Sequence, residues 1–339
     1  MITIPNNIIL SRTDGIGDMV LMLPMAGILK KKYPQLTIAI LGKAYTRALV
    51  AACSNVDEFI DEADFFTKQI MVGGLPPQCI IHVRTNRAVA IRAKALQIPM
   101  RIGTSSRLYH WLSCNKLLRL GRKNSTLHEA QLNIKLLSPL GITTQYSIAE
   151  LALLFGLTNI EPLAPQYEKI IDKNKYNLIV HAKSQGSSRE WPMQHFVSFI
   201  NLLPEAEYNI ILSGVEKEQP YVKKIIQGLQ RRVINITGQV PLQQFISIIQ
   251  NSDGLLANAT GPVHVAAALG IQAMGLYPPI VPLHPGRWSP IGQHVKVFVS
   301  PTICKHCVSN NPVCACMLAI APTEVLQYVS QLKKQVGIA

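Results

Sequence analysis

Residues 8–22, IILSRTDGIGDMVLM, pass from an apolar run through a Gly-x-Gly turn into a segment with helical spacing. A strand, a tight glycine turn and a helix, in that order, open a nucleotide-binding α/β unit. Glycines at 15 and 17 let the chain turn sharply. The helix start behind them offers free N–H groups at the positive end of a dipole, where a dinucleotide pyrophosphate would sit. Here the third glycine is missing, and Asp18 already places a carboxylate in the first turn, where it would repel a phosphate. The stretch predicts the fold of such a unit without its ligand. Asp18 reads either as a helix-stabilising acid worth under ~1 kcal/mol or as a functional carboxylate. Asp14 reads as turn chemistry.

The pattern continues along the chain. Strand candidates IIL (8–10), LTIAIL (36–41), CIIHV (79–83) and MRIG (100–103) alternate with helical stretches near 18–32, 44–53 and 85–97. LHEAQLNIKLLSPLG closes this half as a longer helix, with Gly141 as its cap. Residues 158–175 carry prolines and mixed charge and read as a linker. The alternation then restarts with YNLIVHA (176–182), YNIILSG (208–214), VINITG (233–238), DGLLAN (253–258) and IQAMGLY (271–277), each strand but the last followed by a helical stretch. Short β-branched runs alternating with helices predict parallel sheets. The expected organisation is an N-terminal domain (1–160), a C-terminal domain (174–315) and a C-terminal segment with a helix (316–339) able to pack back on the first domain. A ligand cleft is expected between the two domains, at the carboxyl ends of the strands.

Composition narrows the function classes. With 48% apolar and 15% charged residues, the 339-residue chain is globular rather than disordered. No apolar run reaches the ~18–20 residues of a membrane span, and the N-terminal MITIPNN lacks the basic and apolar regions of a signal peptide. Seven scattered cysteines fit a reducing cytoplasm. The net charge of +14 is unevenly placed: Arg84, Arg87, Arg92, Lys94, Arg101, Arg107, Lys116, Arg119, Arg122 and Lys123 fall between Arg84 and His128 with no acid among them. Such a field attracts a phosphorylated substrate, anionic lipid or nucleic acid, unless it is only a solvated face. Within it, RLYHWLSCNKLLRLGRK (107–123) mixes Trp111 and leucines with cations, either to lie on anionic lipid or to pack on its own domain.

Three further segments bear on chemistry. VHAKSQGSSREWP gathers Lys183, Ser184, Ser187, Ser188 and Arg189 after a strand, which suits a diphosphate as well as an ordinary polar loop; Trp191 reads as packing. In LLANATGPVHVAAALG, Thr260 is placed as an N-cap, Gly261 allows close approach, and His264 lies in the first turn of a small-residue helix. No acid occupies this loop, so it is the better anion site; His264 reads as a neutral imidazole or a core histidine. Cys304, Cys307, Cys314 and Cys316 could close a zinc site, but their spacing is atypical and buried thiols fit as well.

Taken in order, RTDGIGDMVLMLPM, LHEAQLNIKLLSPLGI, REWP, ATGPVHVAAALG and CMLAIAPTEV resemble glycosyltransferase family nine, the heptosyltransferases of lipopolysaccharide core assembly. The resemblance implies an α/β, GT-B architecture of two Rossmann-like domains facing across a cleft. It implies an inverting enzyme with no catalytic metal and no cofactor, which moves heptose from ADP-heptose onto an anionic glycolipid. Its partners would be the nucleotide-sugar donor and the glycolipid at the cytoplasmic face of the inner membrane, with no nucleic acid. By motif, Asp18 matches the general base, and Lys183, Ser184, Arg189, Thr260, Gly261 and His264 match the donor site. Gly17, Arg84 and Arg87 would face the acceptor. Many relatives carry an acid where this chain has Ala259, which bears on donor identity. Two effects oppose each other at Asp18: a helix N-terminus lowers a carboxylate pKa, whereas desolvation raises it. Other nucleotide sugars, a GT-B nucleotide-sugar epimerase, a nicotinamide enzyme and a polyanion-binding protein are the rival readings; Asp18 argues against the nicotinamide enzyme.

Overall fold

The computed structural model describes residues 4–122, 125–281, 283–301 and 314–336. The chain divides into two compact units at Ile160/Glu161. The first contains β1 (Asn7–Ser11), β2 (Thr37–Gly42), β3 (Glu58–Asp61), β4 (Cys79–His82), β5 (Met100–Thr104) and β6 (Lys116–Leu118), in the parallel order β3-β2-β1-β4-β5-β6. All five residues of β1 are buried, as expected of a central strand covered on both faces. Ile9, Leu41, Phe65, Ile80 and Val89 form part of one core on this sheet.

The second unit contains β7 (Tyr176–His181), β8 (Tyr208–Ser213), β9 (Ile234–Asn235), β10 (Gly254–Asn258), β11 (Gln272–Tyr277) and β12 (Val295–Val299), ordered β12-β11-β10-β7-β8-β9. Counted from its own first strand, this repeats the order of the first unit. In each, strand order reverses between the first and fourth strands, and the crevice at their carboxyl ends is where such sheets bind ligands. Trp191 is fully buried in the second core with Phe196, Phe199 and Leu256, and its indole N–H donates to the Ile320 carbonyl at 2.8 Å. The helix Pro322–Val336 packs on the helix Met193–Leu202, with Val325 and Val329 in the second unit's core. The C-terminal segment thus contributes apolar side chains to the second unit's core. Among the described residues no helix is long and apolar enough to cross a membrane.

Several elements differ from the sequence reading. The helical stretch at 18–32 is two helices, Ile16–Val20 and Leu23–Lys32; Pro24, in the first turn of the second, has no N–H to continue the first. The helix expected over 127–141 is α-helical only at Glu129–Ile134; it tightens to a 3-10 turn around Pro139 and ends at left-handed Gly141, φ 74°. Strands β3, β6 and β12, all at or beside a sheet edge, add to those read from sequence.

Gly27 lies inside the helix Leu23–Lys32, and a Cβ there would stand 2.3 Å from the Leu154 carbonyl oxygen. Alanine would gain about 1 kcal/mol of helix propensity, against about 1–3 kcal/mol of overpacking on backbone that cannot turn aside. Gly27→Ala is therefore expected to lower the thermal unfolding midpoint. A raised midpoint would show that the Leu154 turn yields freely.

Candidate functional site

In the first unit the crevice is built by the turns after β1 and β4. Gly15 precedes the helix Ile16–Val20 with φ −77° and ψ 169°, an extended conformation open to any residue. The turn does not need glycine for its backbone; a Cβ there would sit 3.5 Å from Asp18 Oδ2, so its absence leaves room beside the carboxylate. Asp18 lies in the first turn of that helix, and its side chain is 29% exposed. Arg12, at the end of β1, is almost fully buried and pairs with Asp18 and with Asp14, the latter at 2.9 Å. Its guanidinium also stands 3.7 Å from buried Glu129 and 3.4 Å from Asn133 Oδ1. Arg122 pairs with the same Glu129. From the turn after β4, Arg84 reaches Asp14 at 2.9 Å, and Tyr45 donates its hydroxyl to the Asp14 carbonyl at 2.6 Å.

Burial is the largest influence on Asp18 and raises its pKa above the ordinary aspartate value. Asp14 pushes the same way, while Arg12 and Arg84 oppose. Of the two effects expected at this position, desolvation prevails. The result is a carboxylate that holds a proton better than an exposed one and remains tethered to a cation. Gly17 lies beside Asp18 in the helix after β1, Arg84 in the turn after β4, and exposed Arg87 opens the helix that follows that turn, Arg87–Ala95, behind its cap Asn86. Arg12, Glu129 and Asn133 had no place in the sequence reading. A buried arginine cannot be told from a surface one by spacing alone, although Arg12 stood inside the quoted motif.

Next to this turn, His82 at the end of β4 is completely buried, and neither ring nitrogen has a hydrogen-bond partner. Its ring lies 5.4 Å from that of His110, whose Nδ1 sits 3.0–3.1 Å from Thr104 backbone atoms. Burial pushes the His82 pKa down to about 3 and lowers that of His110. A separate cavity of about 780 Å³ opens beside β6, lined in part by Leu117, Leu120, Ile134, Ile142 and Tyr146; neither Asp18 nor Arg84 borders it.

In the second unit the loops after β7 and β10 flank the crevice. Asn258 ties them together: it donates to the Ala182 carbonyl at 2.6 Å and accepts from the Trp191 N–H at 2.8 Å. The first loop turns through two left-handed residues, Gln185 (φ 53°) and Gly186 (φ 81°). Lys183 pairs with Glu190 and stands 4.6 Å above the Tyr221 ring. The Ser184 N–H donates to Glu190 at 2.8 Å, and its hydroxyl lies 3.0 Å from both Glu190 and the Ser188 carbonyl. Glu190, which the sequence reading passed over, therefore organises Lys183 and Ser184. Arg189 is partly buried beside it. Thr260 occupies the N-cap position of the helix Gly261–Ala268, but its hydroxyl makes no capping bond, and buried His264 follows in the first turn. Cys304 and Cys307 lie outside the described residues; Cys314 and Cys316 are buried in the second unit's core.

Known proteins resemble this chain in sequence and in fold. The description "Glycosyltransferase family 9 (heptosyltransferase)" matches residues 78–317, well over half of the chain. A lipooligosaccharide heptosyltransferase 2 of Haemophilus ducreyi is 33% identical over 103 residues, which is 29% of this chain and 30% of that one. Among solved structures, a glycosyl transferase of family 9 from Veillonella parvula superimposes with a TM-score of 0.78 at 18% identity, covering 99% of both chains. The ADP-heptose lps heptosyltransferase II of Escherichia coli gives 0.74 at 18% identity, over 98% of this chain and 100% of that one. The full-length likeness shows the GT-B fold, and the sequence match shows the family. The chain belongs to glycosyltransferase family 9, the heptosyltransferases.

Proposed function

We propose that the protein is an inverting, metal-independent transferase that moves heptose from ADP-heptose onto an anionic glycolipid such as the lipopolysaccharide inner core. It would work at the cytoplasmic face of the inner membrane. The observation that carries this reading is Asp18, a half-buried carboxylate with a raised pKa, open on the Gly15 side and tethered to Arg12. In an inverting transfer one base takes the proton from the acceptor hydroxyl as that oxygen attacks the anomeric carbon, and the nucleoside diphosphate leaves from the opposite face. A raised pKa makes Asp18 the stronger base, provided it is ionised at the working pH. The Arg12 guanidinium favours the ionised form and fixes the carboxylate's direction.

Charge on the departing diphosphate falls to Arg189 and to the N-terminus of the helix Gly261–Ala268, whose Thr260–Gly261 start carries no acid. Lys183 reaches that diphosphate only by sharing itself with Glu190 or leaving it. Ser184, held by the same carboxylate, shapes the loop, and His264 lines the helix start. Gly17, Arg84 and Arg87 take the acceptor side, with Arg84 facing its anionic groups through an exposed guanidinium.

Donor class is tested by thermal shift with ADP-, UDP-, GDP- and dTDP-sugars. ADP-sugars are expected to raise the unfolding midpoint most; stabilisation by another base alone would replace the donor, and by none would remove the transferase reading. Asp18→Ala is expected to keep that donor shift while transfer falls at least ~100-fold, the usual scale for losing a general base. Near-normal turnover would take Asp18 out of the mechanism. The base acts ionised, so kcat/KM falls as pH drops through the Asp18 pKa, which lies above that of an exposed aspartate. Removing the neighbouring cation raises that pKa further, so Arg12→Met moves the acid limb to higher pH and Arg12→Lys moves it less. Superimposable limbs in the two variants would show that Arg12 does not set the charge on Asp18.

A further inference from the structure

The short helix Leu108–Ser113 is turned inside out. Its polar residues His110 and Ser113 are buried, whereas Leu108, Trp111 and Leu112 are 87%, 61% and 77% exposed. Those three sit at i, i+3 and i+4, so they form one outward stripe. Ile91, 51% exposed, belongs to the adjoining helix Arg87–Ala95, which packs on this one. A soluble surface scatters single apolar side chains but rarely groups them in this way.

The polar atoms of the stripe are already satisfied. The Trp111 indole N–H donates to the Ser105 carbonyl at 3.1 Å, and Lys94 caps the far end by donating to the Leu112 carbonyl at 2.8 Å. The face can therefore leave water without abandoning hydrogen bonds, which matters most in a medium that offers none. Exposed Arg107, Lys116 and Arg119 flank it, in a sequence that has no acid from Arg84 to His128.

We infer that the helix Leu108–Ser113 is a docking foot for an anionic phospholipid bilayer, with Leu108, Trp111 and Leu112 entering the headgroup–acyl boundary and Arg107, Lys116 and Arg119 meeting lipid phosphates. Charge complementarity favours lipid: an apolar stripe set in a stretch with exposed cations and no acid from Arg84 to His128 matches an anionic surface. Size argues against a second copy of the chain, since four apolar side chains fall short of the roughly 20–30 residues each partner gives to a stable protein interface. The inference adds to the glycolipid reading the element that brings the protein to its acceptor's surface.

The test uses the full chain and vesicles that contain no glycolipid, so it does not depend on the transferase reading. Co-sedimentation with phosphatidylglycerol-containing vesicles is expected, with little binding to pure phosphatidylcholine and weaker binding at high salt. Tryptophan emission should shift to the blue on binding, and the shift should be lost in Trp111→Phe, which keeps fully buried Trp191 and partly buried Trp288 as the reference signal. Leu108→Asp with Leu112→Asp should reduce binding at least about tenfold while leaving the unfolding midpoint and its donor-induced shift unchanged. The proposal is overturned if the wild-type chain ignores anionic vesicles, if it binds neutral ones equally, or if it binds without a Trp111 shift. It is also overturned if the double substitution converts a dimer to a monomer in sedimentation, which would give the face to a second copy. Loss of the donor shift with vesicle binding intact would leave this proposal standing and strike the functional reading alone.

Discussion

The first unit's site depends on one buried guanidinium. Arg12 leaves the end of the central strand and meets Asp14, Asp18 and Glu129, three carboxylates that would repel one another without it. A buried ion pair is weak evidence for stability, because desolvation offsets much of the attraction. Its value here is in direction. Arg12 links the β1 turn to Asn133 in the helix Glu129–Ile134, while Arg84 brings in the β4 turn through Asp14. Three segments far apart in sequence are fixed around a single carboxylate. Asp18 can then be partly desolvated, hence more basic, without losing its charge partner.

On the donor-site proposal, the second unit meets a related need with the opposite sign. An anion site needs cations and free donors, yet isolated cations on a short loop are mobile. Glu190 holds Lys183 and the Ser184 N–H and hydroxyl, while Asn258 bridges the β7 and β10 loops. The two units share a strand order and place their loops at the same topological position, but one crevice is organised around acid and the other around base. Fold and chemistry are thus separable within a single chain.

The alternation of apolar runs and helical spacing was enough to read the central strands of both sheets, because buried parallel strands are nearly continuous in hydrophobic residues. Three of the four edge strands escaped, Glu58–Asp61 with its two acids, Lys116–Leu118 within a basic stretch and Val295–Val299, whereas Ile234–Asn235 was read within VINITG. Asp18 was legible as a carboxylate out of place. The pairing around it was not, since Arg12 is buried and reaches Glu129 and Asn133 far along the chain, and the hold of Glu190 on Lys183 and Ser184 depends on how their loop folds, which one-dimensional spacing does not record. Gly15 was misread, because the turn it occupies is extended backbone that any residue adopts, and a Cβ there would meet Asp18 Oδ2 at an ordinary 3.5 Å. The short helix at 108–113 was visible only as a mixture of leucine and cations. Which face would point outward needed the positions of His110 and Ser113.

The buried histidines have a consequence for acid tolerance. His82 is held neutral in the fold, with its pKa lowered to about 3, and His181 likewise to about 4, whereas both would titrate near 6.5 in the unfolded chain. Between those values the unfolded chain takes up protons that the folded one refuses. Each such histidine removes stability as pH falls below about 6.5, at up to ~1.4 kcal/mol per pH unit, until its folded pKa is reached. The fold therefore loosens toward acid in the same direction in which Asp18 loses its charge. On the proposed mechanism, proton uptake at Asp18 and at the buried histidines would therefore act in the same direction as pH falls.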